Sequence, residues 1–328
     1  MHRLLGILMS FSVGLCVTAQ TGPASYQFFL GGNPADVKTR TTPGLVLLGG
    51  GKDVDAAFRW LVQRSGGGDV VILRASGADG YNNYIRGLGT VDSVESFVVK
   101  TPEAARDPFV LDKIRGAEAL FIAGGDQWNY VRVWGASPMR EVIQGLIDRG
   151  VPMGGTSAGL AVLGQFVFTA EKDTVTSAQA LRNPYDERVT VGTDFLRIPI
   201  LRSVITDTHF AARDRLGRLL TFMARILEDG RGTEARAIAV DERTAALVEP
   251  EGTVQVEGEG SVYFLRAAAR PEVCKPGQPL TLRRVAVCRV KRGAAFNLKK
   301  WAGHGGTEYG LSVESGVIRS TQPEGSIY

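Results

Sequence analysis

The chain has 328 residues, 44% of them hydrophobic, which is enough for one large α/β domain with an appendage or for two ordinary domains, each with a sizeable core. Its formal net charge of +4 is small for that length. No dense Lys/Arg run carries interleaved aromatics, which argues against nucleic acid as a partner.

Residues 1–20 combine Arg3, an apolar run from Leu4 to Val17 and the small residues Val17-Thr18-Ala19. They read as a cleavable export signal and predict a secreted or periplasmic protein. The apolar run is too short for a membrane span, so none is expected once the signal is removed. Export leaves Cys274 and Cys288 on either side of Lys275-Pro276-Gly277-Gln278-Pro279. An oxidising compartment allows them to pair as a hairpin staple, and two reduced buried cysteines are the alternative. No third thiol or histidine cluster lies nearby, so no metal is expected there.

The aliphatic run Leu45 to Leu48 ends in Gly49-Gly50-Gly51, followed by helical spacing from Val54 to Val62. Further strands are expected over Asp69 to Arg74, Ser96 to Val99, Ala119 to Ala123 and Val151 to Gly154, with helix-compatible segments between them. This alternation predicts a mostly parallel α/β sheet covered on both faces. Gly49-Gly50-Gly51, Gly124-Gly125 and Gly154-Gly155 each follow a strand's carboxyl end, where open α/β sheets place ligands, and should converge in space. Neither a G-x-G-x-x-G fingerprint nor a P-loop occurs, so no nucleotide cofactor is expected.

Phe166 to Thr176 reads as a strand and Ser177 to Asp186 as an exposed loop. Val204-Ile205-Thr206 is a short strand ending in Asp207-Thr208-His209, and Phe210 to Glu228 is a helix. The last third is β-rich, with strands over Ala237 to Val240, Ala246 to Glu249, Thr253 to Val256, Val262 to Leu265 and Leu280 to Val290. Turns at Gly252 and Gly316 lead into strands. The organisation expected is an export signal (1–20), an α/β domain (21–265) and a β-rich extension (266–328).

Gly155-Thr156-Ser157-Ala158-Gly159 fits the G-x-S-x-G elbow, in which small neighbours let a strained turn expose a serine and free the next N–H for an oxyanion. A glycine-rich packing turn or an anion cradle is the alternative. A nucleophilic Ser157 needs a base, and the chain holds three histidines. His2 falls in the export signal and His304 in a glycine-rich loop, which leaves His209. The third member that would orient the imidazole is open among Glu171, Asp173, Asp241 and Glu242, because spacing does not choose. Arg213, Arg215 and Arg218 follow His209 closely and could grip a carboxylate, with Asp126 and Gln127 adding polar contacts.

Four motifs in order, Phe121-Ile122-Ala123-Gly124-Gly125-Asp126-Gln127, Gly154 to Gly159, Thr206 to Phe210 with the three arginines, and Val240 to Ala245, resemble cyanophycinase and its exported relatives, serine exopeptidases related to peptidase E. The resemblance runs from about Gly44 to Glu249. It implies a flavodoxin-like, doubly wound sheet of the class I glutaminase type and no cofactor. Ser157 would be the nucleophile, His209 the base and Glu242 the third member, with Asp173 the runner-up. Oxyanion donors would be the Gly125 and Ala158 N–H groups, and the substrate pocket would use Gln127, Asp207, Arg213, Arg215 and Arg218. The implied substrate is cyanophycin or another β-aspartyl peptide, hydrolysed through an acyl-enzyme. Thr208 departs from the glutamine common in the cytoplasmic enzymes, which keeps an aspartyl dipeptidase of other specificity open. The rival functions are a secreted peptide-binding protein that has lost catalysis and a glutaminase-like amidotransferase, the latter disfavoured by serine at the elbow. A homodimer is admitted, though the residues themselves are silent on assembly.

Overall fold

The computed structural model describes residues 25–328; the export-signal reading of residues 1–20, with His2 and Cys16, lies outside the described residues. Strands β1 (Tyr26–Gly32), β2 (Leu45–Leu48), β3 (Val70–Arg74), β4 (Ser93–Val99), β5 (Ala119–Ile122) and β6 (Met153–Thr156) build the α/β half. Five of them form a parallel run in the order β4-β3-β5-β6-β2, with β1 antiparallel on β4. The connecting helices are α1 (Asp55–Arg64), α2 (Gly80–Arg86), α3 (Pro108–Gly116), α4 (Gln127–Trp134) and α5 (Pro138–Asp148).

Strands β2, β5 and β3 up to Leu73 are apolar on both faces because both are covered. Within β2, Val46 and Leu48 pack with Phe58 and Leu61 of α1, whereas Leu45 and Leu47 pack in the core shared by α3 and α5. Successive side chains alternate across a strand, so the helices divide between the two faces and the sheet is doubly wound. Asp107 caps α3, accepting from the Phe109 and Val110 amides with Pro108 in the first turn, an arrangement that suits a helix start.

After the short helix α6 (Ala158–Ala161) come β7 (Phe166–Phe168), α7 (Ser177–Arg182), β8 (Val191–Thr193), β9 (Val204–Asp207) and α8 (Leu216–Glu228). Strands β10 (Ala235–Val240), β11 (Thr244–Val248), β12 (Thr253–Gly258) and β13 (Val262–Ala267) follow. The last are β14 (Leu282–Val290), β15 (Ala295–Asn297), β16 (Ala302–His304), β17 (Thr307–Glu314) and β18 (Val317–Ser320). Strands β11, β12, β15 and β16 extend the first sheet beyond β2, and the others form a second sheet, β18-β17-β14-β13-β10-β9-β7-β8. One face of the second sheet packs on the first through Val240, Phe264 and Val290. Its other face is covered by α7 and α8.

Several local expectations are corrected. The strand read over 166–176 stops at Phe168, because Ala170 and Asp173 adopt positive φ of 54° and 78° and turn the chain. The loop read over 177–186 begins instead with α7, whose Thr176 and Gln179 form a reciprocal capping box. The helix read from Phe210 starts only at Leu216, since Asp214 has a φ of 46° that a right-handed helix does not admit. Strand β13 runs across the 265/266 boundary, and β14 to β18 join the sheets already formed. Of the two readings left open for Cys274 and Cys288, the structure shows the reduced one: both are free and buried. Cys274 lies beside a bridge between Val273 and Thr281, while Cys288 pairs with Phe264 and Glu308 inside the sheet. Among the described residues, no helix is long and apolar enough to cross a membrane.

Candidate functional site

Ser157 sits between β6 and α6 with φ 52° and ψ −118°, a region costly for a residue with a side chain and retained only where surroundings enforce it. Its N–H donates to the Leu48 carbonyl at 3.2 Å and its carbonyl accepts from Ala161 N–H at 3.0 Å. The flanking glycines are required by space. A Cβ at Gly155 would lie 2.5 Å from the Gly159 carbonyl carbon, and one at Gly159 would lie 2.0 Å from the Ile122 oxygen. The strand, turn and helix therefore close up only with glycine at both positions, and the hydroxyl projects at the carboxyl edge of the sheet.

His209 follows β9, also at positive φ (48°). Its N–H donates to the Gly49 carbonyl at 2.8 Å, and a Cβ at Gly50 would come within 2.5 Å of the imidazole. The Gly50 carbonyl in turn accepts from Arg243 N–H at 2.8 Å, which draws the turn between β10 and β11 alongside. That turn carries Glu242. The glycine turns after β2, β5 and β6 do converge, and the first of them is the bracket between imidazole and carboxylate.

The result is a chain of contacts. Ser157 Oγ lies 2.9 Å from His209 Nε2, and His209 Nδ1 lies 2.6 Å from Glu242 Oε1. A carboxylate can only accept, so Nδ1 carries the proton and Nε2 is left to accept from the serine hydroxyl. Burial pushes the His209 pKa below its ordinary value, opposed by the hydrogen bond to Glu242 and reinforced by the nearby Arg213 and Arg215 charges. The bond to His209 holds the Glu242 carboxyl below the usual carboxylate range. A neutral imidazole beside an ionised carboxylate is the resting state these shifts favour at neutral pH.

A cavity of about 380 Å³ opens beside Ser157. Gly125 and Ala158 both line it, and Ala158, first in its helix, has an N–H without an intrahelical acceptor. Tyr130 Oη bridges the Ala123 and Gly124 carbonyls at 2.9 and 3.0 Å and so fixes the β5 turn that presents Gly125. Gln127 lines the cavity with its Nε2 3.3 Å from the Phe168 carbonyl, and Asp126 caps α4 through the Trp128 N–H.

The arginines divide into different settings. Arg218 is buried and grips Asp207 with two nitrogens at 2.8 and 2.5 Å, and its third nitrogen donates to Thr174 Oγ1 at 3.2 Å. Arg215 donates to the Thr208 carbonyl at 2.8 Å and its hydroxyl at 3.1 Å, with Asp207 3.5 Å away. Arg213 is exposed and stands 3.9 Å from Glu242. Asp173 and Glu171 line the cavity, and Asp173 accepts from the Thr174 N–H; the carboxylate placed at His209 Nδ1 is Glu242. Asp241 instead accepts from Ala211 and Ser261 N–H groups, both at 3.0 Å, and His304 lies in β16 paired with Ala295.

Sequence reasoning missed Thr174, Tyr130 and the supporting role of Gly49 to Gly51. Tyr130 carried no local signal, whereas the glycine turn did, by its position after a strand. Removing Asp207 strands a buried cation, because the side chains of Asp207 and Arg218 are each 4% exposed. Asp207→Ala is therefore expected to destabilise the fold by about 3–5 kcal/mol. A urea titration showing a loss below about 1 kcal/mol, the scale of an ordinary hydrogen bond, would contradict that account.

Fold and site together define a doubly wound α/β protein built around a Ser–His–Glu chain at a sheet's carboxyl edge. The model of the peptidase family S51 matches residues 80–183. The chain is 28% identical over 212 residues to a cyanophycinase of Trichormus variabilis, covering 63% of this chain and 66% of that one, just under two thirds of that protein's length. It is 29% identical over 235 residues to a cyanophycinase of Synechococcus elongatus, covering 68% of each. The solved structure of a peptidase from an acI-B1 Actinobacterium shares the fold, with a TM-score of 0.53 at 16% identity over 79% of this chain and 98% of that one. The family-model match and these relatives support a cyanophycinase and peptidase E-like family, S51, the resemblance that the four motifs carry.

Proposed function

We propose that the protein is a serine-type peptidase that hydrolyses β-aspartyl peptides, cyanophycin-like β-Asp-Arg first among them, through an acyl-enzyme. The observation that carries this reading is the run of contacts from Ser157 Oγ through His209 to Glu242 at 2.9 and 2.6 Å, with the serine held at positive φ. Ser157 attacks the peptide carbonyl, its proton passing to His209 Nε2, and Glu242 stabilises the imidazolium. The oxyanion rests on the Gly125 and Ala158 N–H groups. His209 then returns the proton to the leaving amine, and water hydrolyses the ester by the same route.

The substrate class is supported by the cavity's two-signed lining. Arg213 and Arg215 line it and suit a free carboxylate, while Asp126, Glu171 and Asp173, also in the lining, supply negative charge for a cationic side chain. The named cyanophycinase relatives point the same way.

The test is hydrolysis of β-Asp-Arg across pH. His209 acts only when neutral, and its pKa is lowered, so kcat/KM should rise with pH along an acid limb centred below about 6.5, the ordinary histidine value. Absence of hydrolysis of both β-Asp-Arg and cyanophycin at every pH would overturn the assignment, and a limb above the ordinary value would overturn the role of burial.

A further inference from the structure

The turn of residues 209–216 carries the proposed base and two cavity arginines, and it is held on three sides by elements close to the site. Phe210 N–H donates to the Val240 carbonyl at 3.3 Å, and Ala211 N–H to Asp241 at 3.0 Å. On the α7 side, Ser177 Oγ donates to the Asp214 carbonyl and accepts from Arg218 N–H. The fourth side is closed by a residue far away in sequence. Tyr328 Oη accepts from Leu216 N–H, the first amide of α8, at 3.1 Å and lies 2.9 Å from Asp214 Oδ1, to which it donates.

The ring adds a second grip. It meets Phe210, fully buried and adjacent to His209, edge-on at 5.5 Å, and Tyr263 of β13 edge-on at 6.2 Å. Burial pushes the Tyr328 hydroxyl pKa well above its ordinary value, so it stays a proton donor throughout the working range. The segment leading to it is itself anchored: Tyr309 Oη donates to the Ile327 carbonyl at 3.3 Å and Gln322 Nε2 to the Ser326 carbonyl at 2.8 Å. Tyr328 does not line the cavity, so whatever it does to substrate passes through the turn.

We propose that Tyr328 is a positioning residue whose hydroxyl, bridging Asp214 and the Leu216 amide, fixes the turn that presents Arg213 and Arg215 to the substrate. Asp214 adopts a positive φ of 46°, between the two arginines. A non-glycine residue in that conformation needs its surroundings to hold it, and the tyrosine hydroxyl is the contact made to its carboxylate. Loss of the hydroxyl frees the turn to relax and shifts the backbone that carries both arginines, the exposed Arg213 most, since the Arg215 head keeps its bonds to Thr208, while the contacts from Ser157 through His209 to Glu242 remain. The effect falls on binding rather than on chemistry.

This inference rests on the peptidase reading for its kinetic part, and the experiment separates the two. Tyr328→Phe, which keeps the ring, is compared with wild type by amide exchange and by β-Asp-Arg kinetics. Exchange at residues 211–216 should quicken about five- to tenfold, the scale of one lost hydrogen bond, with β14 unchanged. KM should rise by a similar factor with kcat within about twofold, the pattern of lost ground-state binding. Unchanged exchange at 211–216 overturns the proposal even if the wild type hydrolyses nothing. Faster exchange with an unaltered KM in an active enzyme, or a fall confined to kcat, overturns the link to substrate. Tyr328→Ala, lacking the ring as well, should quicken exchange and raise KM further; a smaller change in both than Tyr328→Phe gives overturns the proposal.

Discussion

Ser157→Ala is expected to lower kcat for β-Asp-Arg by a factor on the order of 10⁵, because the covalent route disappears while the cavity and backbone donors remain. KM should move little: the hydroxyl is a small part of a lining that includes Gly125, Ala158, Gln127 and the arginines. Folding should also survive. Alanine bears the same backbone strain at φ 52°, the serine N–H bond to Leu48 is untouched, and the one bond lost is that to His209, worth about 1 kcal/mol. A fluorophosphonate probe gives an independent reading, labelling the wild type at residue 157 and sparing the variant. Hydrolysis within tenfold of wild type by a folded Ser157→Ala protein would remove the serine from the mechanism.

What could be read from the chain tracks how local each requirement is. The elbow was legible because its pattern is local, Gly155 answering Gly159 within one strand-turn-helix unit, although Gly159 itself is required by the end of the neighbouring β5. The alternating strands and helices were legible because a sheet covered on both faces makes its strands run apolar, as β2, β5 and β3 up to Leu73 do. Strand β1 was missed because it is placed by antiparallel pairing with β4, some seventy residues away in sequence, and its own pattern alternates only loosely. Helix α7 was missed although its capping box, Thr176 and Gln179, stood in plain view; Asn183 and Pro184 just beyond it made the whole stretch read as an exposed loop. The late start of α8 was hidden because a helical pattern from Phe210 is genuine, but the Phe210 and Ala211 amides are drawn off to the Val240 carbonyl and to Asp241, and Asp214 breaks the helix at positive φ.

Composition narrowed the site to His209 but left four carboxylates for its partner, and the choice was made by a feature no spacing expresses. The turn Gly49 to Gly51 accepts from His209 N–H and from Arg243 N–H, which places imidazole and Glu242 side by side although they come from different strands. The same geometry removes Asp241, whose oxygens are committed to the Ala211 and Ser261 amides. It leaves Asp173 on the cavity wall, where its charge can meet substrate.

Glu242→Gln tests that choice with the second-largest expected effect. A glutamine can still accept from His209 Nδ1 through its carbonyl, but it carries no charge to stabilise the imidazolium. Turned the other way, its amide donates to Nδ1, which moves the ring proton to Nε2 and aims a donor, not an acceptor, at Ser157. Both faults act on kcat, and together they are expected to cost about 10²–10⁴-fold, the upper end being that of a fully buried triad acid. Glu242 is 34% exposed in its side chain, which places the loss below that end, since water partly screens the charge. The hydrogen bond to Glu242 also raises the His209 pKa against burial, so its loss should move the acid limb of kcat/KM to lower pH. Asp173→Asn, by contrast, should alter kcat by no more than about fivefold, the scale of an exposed charge interaction, and should leave the limb where it is. A larger fall in kcat for Asp173→Asn than for Glu242→Gln, with both proteins folded, would transfer the third role to Asp173 and require the segment of residues 170–174 to swing toward His209 before the chemistry begins.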